Sequence, residues 1–500
     1  MSFIKKIWVF LAVTAFLSIT AVTAIKLGRF SSERSQARAK DPWASVTRQK
    51  SHMDHSRLFQ KPFATPQAVT ARCLECHPKS ADDLMKTAHW TWLSSKTTVA
   101  QSGKTVWTGK KNLINNYCIS IIGNWASCTQ CHAGYGWKDS GFDFTDKNNI
   151  DCLVCHDGSG TYAKGKAGMP KPSVDLLAVA KNVASPSREN CGTCHFYGGG
   201  GLGVKHGDLD SSLVNAQADL DVHMGKHHFR CTECHKTEHH LVSGKFNSTY
   251  DSDMAVQRVT CTDCHAQKPH GSERLNSHTD AVACQTCHIP TYARIVPTKM
   301  FWDWSAAGDS GRKENAHEYQ KIKGSFKYEQ EIIPEYGWFN LQMERYLMGD
   351  KFDPAQETQL NAPKGNIRDK TAKIWPFKIH RAVQPYDKKL KHLLPPVTGG
   401  EGGYWQEFNW DKALRLGAKE SGLEYSGTYG WAKTSMYWPL SHMIAPAAAA
   451  LKCLDCHTTG SQGSGQGHGR MNWKALGYEG DPLTGGGRRI GGLLEQGARK

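Results

Sequence analysis

Apolar residues are in short supply in this 500-residue chain: 39% are hydrophobic, against 22% charged, with 48 glycines. Such a composition leaves little room for an ordinary hydrophobic core spread along the whole length. Acidic residues are outnumbered too, 46 against 62 Lys and Arg, for a formal net charge of +16. That excess would ordinarily suggest nucleic acid or an acidic membrane surface. No basic run with interleaved aromatics is present, which argues against nucleic acid. Spare cysteine is almost missing, since only one of 17 stands outside a repeated pentapeptide. A disulfide framework, usual for short secreted chains, suits this length poorly.

What the chain has in quantity is Cys-x-x-Cys-His, written eight times from Cys73, Cys128, Cys152, Cys191, Cys231, Cys261, Cys284 and Cys453. Two thiols about one helical turn apart add across the two vinyl groups of one porphyrin, and the adjacent His then reaches the iron. The second thiols are Cys76, Cys131, Cys155, Cys194, Cys234, Cys264, Cys287 and Cys456. The proximal ligands are His77, His132, His156, His195, His235, His265, His288 and His457. A zinc ribbon or a thioredoxin-like pair also uses Cys-x-x-Cys, but neither needs a His directly after the second Cys. Eight covalently bound c-type haems are therefore expected. Their propionates account for the basic excess, as internal partners of Lys and Arg.

Lys5 and Lys6 precede an uncharged run from Ile7 to Ile25, and Val22, Thr23 and Ala24 suit signal-peptidase cleavage. Residues 1–40 read as a signal peptide or a retained N-terminal anchor in the inner membrane, because basic residues follow a run nearly long enough to span a bilayer. Haem is attached to such motifs outside the bacterial inner membrane, so the periplasm is the expected compartment. Residues 41–288 read as a seven-haem core behind a polar lead-in, with motifs at intervals of 23 to 55 residues. Macrocycles would supply the apolar interior there, wrapped by short helices and irregular loops with few strands. Residues 289–452 carry no motif and are rich in Trp, Tyr and Pro; alternation over Lys373 to Val383 predicts a hairpin, and a helix is expected near Trp438 to Leu451. Residues 453–500 hold the eighth haem and a Gly-rich tail. The expected fold is mainly α with much irregular structure, that of a multihaem cytochrome c.

Eight of the 24 His are proximal, leaving 16 as possible distal ligands, more than bis-His coordination needs. The favoured set is His89, His206, His223, His227 or His228, His239 or His240, His270, His278 and His442. Bis-His haems carry electrons but bind no substrate, so chemistry needs one exception. A Lys amine is a replaceable ligand when its pKa is depressed. The glycines of Gly198 to Gly203 let backbone approach a macrocycle closely, and they lead to Lys205 and His206, which could face different haems. Cys118, ten residues before the second motif, is a thiol with no cysteine left to pair with; its nearness to a haem favours a use over an inert burial.

The eight motifs, the lone Cys118, the run Cys191 to Gly201, the run Val204 to Leu209, and the run Met471 to Tyr478 together resemble the octahaem tetrathionate reductases. These are periplasmic relatives of hydroxylamine oxidoreductase and pentahaem nitrite reductase. The resemblance covers roughly residues 50 to 482. It implies packed haem pairs and one catalytic haem, on Cys128, Cys131 and His132, with Lys205 as distal ligand and Cys118 beside the iron. It also implies a second active-site lysine at Lys299. The family pattern has an acidic residue three positions before the ligand Lys; this chain has Leu202 there, which leaves Asp208 as a candidate for proton delivery. The expected function is reduction of a small sulfur or nitrogen substrate (tetrathionate, nitrite or hydroxylamine), with electrons from a periplasmic or membrane donor. The alternative is a conduit with no turnover of its own. Hydroxylamine oxidation is disfavoured, since no tyrosine can be assigned to the haem cross-link it uses in the related oxidoreductases.

Overall fold

The computed structural model describes residues 41–46, 52–93, 96–98, 103–117, 120–244, 258–457, 469–484, 488–490 and 493–495. The expected signal or anchor and Cys118 lie outside the described residues. Among the described residues, no helix is long and apolar enough to cross a membrane.

The chain divides into two units. The smaller, residues 1–48 with 260–280, carries the sixth motif. Its Thr260 caps a short turn at Cys261–Asp263, and Asn276, in the helix Glu273–His278, exchanges two 2.9 Å hydrogen bonds with the backbone of His270.

The larger unit, residues 49–259 and 281–500, carries the other seven motifs. Its haem-bearing part is built of short helical turns and irregular segments, as expected, with only two-stranded ribbons of two or three residues per strand. The helix Pro66–Cys76 shows why these turns form. Thr65 accepts the Ala68 amide as N-cap, and Pro66 occupies a first-turn position where its missing N–H costs nothing. Arg188–His195 begins in the same manner, on a reciprocal box between Ser187 and Asn190.

The haem-free stretch contributes one open, eight-stranded sheet. Its strands are β1 (Thr298–Asp303), β2 (Tyr319–Gln320), β3 (Gly324–Glu329), β4 (Glu335–Phe339), β5 (Met343–Arg345), β6 (Thr358–Pro363), β7 (Lys373–Asp387) and β8 (Tyr429–Pro439). The order is β2-β3-β1-β7-β8-β6-β5, with β4 also on β7; the β7–β1 and β6–β8 pairs are parallel. β7 is buried along most of its length and pairs in register with β8 from Phe377–Pro439 to Asp387–Tyr429.

Two expectations are corrected here. Lys373 to Val383 is no hairpin but part of one straight 15-residue strand, whose antiparallel partner returns only after residues 388–428. That connection includes the amphipathic helix Trp410–Glu420, capped by Asn409. Gly417 lets this helix press on the chain below: a Cβ there would sit 1.7 Å from the Pro395 carbonyl. The helix expected near Trp438 to Leu451 is also absent. Trp438 lies within β8 opposite Lys378, and between Pro439 and Leu451 there is a single helical turn, at Ala447–Ala449. Pro439 and Pro446 break the segment, each withholding a backbone donor and disfavouring helix in the residue before it.

Candidate functional site

The motif turns place the attachment atoms as porphyrin attachment requires. In five motifs the amide of the His bonds to the carbonyl of the first Cys: His77 to Cys73 (2.9 Å), His156 to Cys152 (3.1 Å), His235 to Cys231, His265 to Cys261 and His457 to Cys453 (each 2.8 Å). That bond closes one turn of chain around the two cysteines and the histidine. Cysteines of different motifs also lie beside one another: Cys73 beside Cys152, Cys131 beside Cys194, and Cys191 beside Cys231. The first motif is thus set against the third, the second against the fourth, and the fourth against the fifth.

The histidine rings supply a second test of fit. Two imidazoles binding one metal from opposite sides at about 2 Å each have ring centres roughly 6 to 6.5 Å apart. His55 and His77 stand at 6.3 Å, His89 and His195 at 6.2 Å, and His235 and His442 at 6.4 Å. His156 has two such neighbours, His52 at 6.3 Å and His240 at 6.5 Å. Several rings are also oriented for ligation. Nδ1 donates to a carbonyl in His156 (Ala184, 3.0 Å), His235 (Ser243, 2.8 Å) and His55 (Met53, 2.7 Å), which leaves Nε2 as the unprotonated nitrogen. Burial, with His89 alongside, pushes His195 down to about 3, keeping it neutral as a ligand must be.

His52 and His55 were not foreseen. They sit in the polar lead-in, and nothing in their spacing relative to the motifs marks them. Within the adjacent pair, His240 faces His156, while His239 is exposed with its Nδ1 3.8 Å from Asp83. His223 and His227 have rings 5.9 and 6.4 Å from Phe229. In the smaller unit, His278 donates Nδ1 to the Arg274 carbonyl at 2.7 Å, and His270 is held through its backbone by Asn276.

The second motif departs from this pattern. The His132 amide donates to the Thr129 carbonyl rather than to that of Cys128, and its fully buried ring turns Nε2 to the Trp90 carbonyl at 2.6 Å. Its Nδ1 is buried without a hydrogen-bond partner. Trp90, Trp92, Trp137, Phe142 and Phe144 enclose it at centroid distances of 4.7 to 6.1 Å. Burial holds this imidazole neutral, down to about 3. A fully buried Lys164 fixes the segment from below: its Nζ donates to the carbonyls of His132 (2.8 Å) and Gly134 (3.2 Å) and to Asp151 (2.6 Å). Asp151 also accepts from Tyr135 and Tyr162.

Lys205 approaches the same motif. Burial and the Lys110 ammonium push its amine down to about 7, against an opposing pull from Cys131. Its loop needs the glycines: Gly203 has φ +67° and a Cβ there would lie 2.3 Å from the Pro297 carbonyl. The loop rests on the sheet. The Lys299 amide and the Thr298 hydroxyl donate to the Gly203 carbonyl (2.9 and 2.7 Å), and Lys378 Nζ reaches Val204 O (3.2 Å), Lys205 O (3.1 Å) and Thr298 Oγ1 (2.6 Å). Lys378 is fully buried, and burial together with Lys299 drives its pKa well below the ordinary lysine value.

Two residues along β7, His380 shares that sheet face, and sequence reasoning missed it. Asn116 donates Nδ2 to the His380 carbonyl at 2.9 Å and so presents Oδ1 to His380 Nδ1 at 3.2 Å. Nδ1 is thereby the donor, and the buried Nε2 has no partner. Nothing but strand alternation marks Lys378 and His380 in the sequence.

The remaining candidates fall as follows. Lys299 is buried with its ammonium in an aromatic box, 4.2 Å from Trp302 and 4.5 Å from Phe326. Asp208 turns to His442, whose Nδ1 lies 3.4 Å away, and also accepts the Ser441 and His442 amides at 2.7 and 3.0 Å. Burial lifts this carboxyl, but His442 outweighs it and the pKa falls to about 2. His206 packs its ring 5.3 Å from Trp438, and Lys205 Nζ lies 5.3 Å from the same indole. Leu202 packs with the Phe196 and Met443 cluster. Of the residues flanking Cys118, Tyr117 stacks edge-on against Trp438 at 5.3 Å.

Paired thiols, opposed imidazoles and helical attachment turns define a multihaem c-type cytochrome. Comparisons narrow this. Residues 299–460 match the family described as cytochrome c bacterial, and residues 72–157 match cytochrome c554 and c-prime. The octaheme cytochrome c of Shewanella oneidensis is 46% identical, with a TM-score of 0.79 over 87% of this chain and 98% of that one. An uncharacterized protein of Archaeoglobus fulgidus is 26% identical over 239 residues, 38% of this chain and 80% of that protein. The chain belongs to the octahaem c-type cytochromes. It is a periplasmic electron-transport protein with eight covalently bound haems.

Proposed function

We propose that this cytochrome is a terminal reductase, passing electrons through bis-His haems to one Lys-ligated haem on Cys128 and Cys131, where a small sulfur or nitrogen substrate is reduced. The observation that supports this reading is His132. Its Nε2 meets the Trp90 carbonyl, and Lys205, whose amine burial and the Lys110 ammonium hold down to about 7, approaches the same motif and would be that haem's distal, replaceable ligand. His55, His89 and His442, whose rings stand 6.2 to 6.4 Å from His77, His195 and His235, would be the second histidines holding those haems, and His52 or His240 would serve with His156. Asp208 orients His442 as a carboxylate partner.

When bound, the haems supply reversible one-electron carriers and an iron at which substrate can sit. The chain's own residues supply the rest. Lys299, on the strand that supports the loop, would add positive charge favouring an anion, and Lys378 holds the loop through its hydrogen bonds. His380, with Nε2 unprotonated and Nδ1 tied to Asn116, is kept neutral there, since burial with Lys378 and Lys299 nearby drives its pKa well below the ordinary value. Cys118 would attack the central S–S bond of tetrathionate as thiolate, releasing one thiosulfate and leaving Cys–S–S–SO3⁻; two electrons supplied through the haems would then break the new S–S bond, releasing the second thiosulfate and restoring the thiolate. Electrons would come from a periplasmic or membrane donor, and residues 1–40 would act as export signal or inner-membrane anchor.

The test is Lys205→Ala. With eight haems still present by intact mass, one iron should change its ferric spectrum and turnover of the preferred substrate should fall by at least tenfold. Assays of the parent with tetrathionate, nitrite and hydroxylamine would identify that substrate. A parent that turns over none of them, with an unaltered spectrum in the variant, would leave a pure conduit.

A further inference from the structure

The described part of the C-terminal tail has a task of its own. Its anchor is apolar: Met471, Leu476 and Tyr478 pack with Trp338, Ala372 and Ile374, and Trp338 donates its indole N–H to the Leu476 carbonyl at 2.8 Å. From that anchor the tail brings two side chains onto the eighth motif histidine. Trp473 lies flat on the His457 ring, with centroids 5.1 Å apart and planes at 15°. Asp481 places Oδ1 2.5 Å from His457 Nδ1, and the same oxygen accepts the Leu483 amide at 2.8 Å. The Asp481 side chain is 8% exposed, and its Oδ2 is buried without a partner.

A carboxylate only accepts hydrogen bonds, so Nδ1 must be the protonated nitrogen and Nε2 carries the lone pair that faces a metal. His156 and His235 give the same hydrogen to neutral backbone carbonyls instead. A buried anion pulls harder on that proton than a carbonyl does, making the imidazole a more basic ligand, and a more basic axial ligand favours Fe(III) over Fe(II). The motif itself lies at the surface, with Leu454 72% exposed. We propose that Asp481 is the positioning residue that holds the eighth haem at low potential, making it a surface haem suited to receive electrons from a strongly reducing donor. The reduction concerned is one electron per iron, with no proton transfer required. It rests on the eight haems alone and is independent of the reading of the second motif.

The experiment is a mediated spectroelectrochemical titration of the holoprotein, parent against Asp481→Asn and Asp481→Glu, with haem content checked by intact mass. Asn keeps the shape and an acceptor but not the charge. One of the eight components should move positive by at least tenfold in its Fe(III)/Fe(II) ratio, about 59 mV for a one-electron couple. Glu keeps the charge, and its titration should stay close to the parent's. Unchanged potentials in Asp481→Asn overturn the proposal, as does an equal shift in both variants. Loss of the eighth haem from Asp481→Asn leaves Asp481→Glu as the deciding variant: parent-like potentials support the proposal, and a positive shift with charge retained refutes it.

Discussion

Replacing Lys378 by Met should loosen the loop that carries Lys205. The side chain keeps its length and loses only the ammonium head, which touches Val204 O, Lys205 O and Thr298 Oγ1. Thr298 Oγ1 keeps its bond to Gly203, so two backbone carbonyls bear the loss. Each buried carbonyl deprived of a donor costs about 1–3 kcal/mol. Part of that is returned, because a buried amine need no longer be desolvated. A net effect of about 2 kcal/mol on the docked loop corresponds to roughly 30-fold in its equilibrium with undocked forms. Lys205 sits on that loop, so the ferric spectrum of one haem in eight should become a mixture, and turnover should fall more than haem content or overall fold. Exposed Lys327 on β3, replaced in the same way, is the control and should change nothing. If Lys378→Met matches that control in spectrum and in rate, the loop is held by other contacts and the reasoning fails.

Two further outcomes follow from the geometry. His55→Ala and His442→Ala should each convert one low-spin iron to a high-spin or water-bound state, and Asp208→Asn should weaken the His442 ligand without removing it; electron paramagnetic resonance of the oxidised protein checks all three. Acid stability should depend on Asp387: burial would raise its pKa, but the Leu390 and Ser426 amides and the Ser426 hydroxyl outweigh it and leave the pKa lowered. A depressed carboxyl stabilises the fold fully above the unfolded value of about 3.9 and loses that contribution as pH falls through the folded value. Asp387→Asn should therefore flatten the pH dependence of the thermal midpoint in that acid range, and a slope identical to the parent's would show that the capped turn does not govern it.

The cofactor was legible because its attachment is local. Cys, Cys and His at successive helical positions close one turn, and eight repetitions leave no other chemistry for those thiols. The short helices around them were legible for the same reason, as were the glycines before Lys205, which mark a backbone that must pass close to its neighbours. The sheet was less so. Alternation over Lys373 to Val383 signalled a strand, but its partner is a segment lying beyond a long connection, and no local rule pairs Phe377 with Pro439. Trp438 to Leu451 misled because an Ala-rich run has helical composition, while Pro439 and Pro446 forbid its continuation.

Axial ligation divides along the same line. A proximal histidine is named by its neighbours in the chain, whereas a distal one is any imidazole that folding brings to the opposite side, so His52 and His55 went unnoticed and His240 could not be told from His239. His132 shows the converse: its motif is complete, yet the ring is turned to Trp90 and caged by aromatics drawn from three segments. Lys378, His380 and Asp481 carry no motif at all: Lys378 meets the Lys205 carbonyl, His380 meets Asn116 on the same sheet face, and Asp481 meets His457 only because the sheet and the folded tail bring them there. The sequence by itself determined the number of haems, their mode of attachment and the export such attachment requires, because covalent chemistry depends on adjacent residues. The tertiary structure alone decided which imidazoles stand opposite one another and which side chains contact them, because those interactions act through space over a few ångströms between residues far apart in the chain.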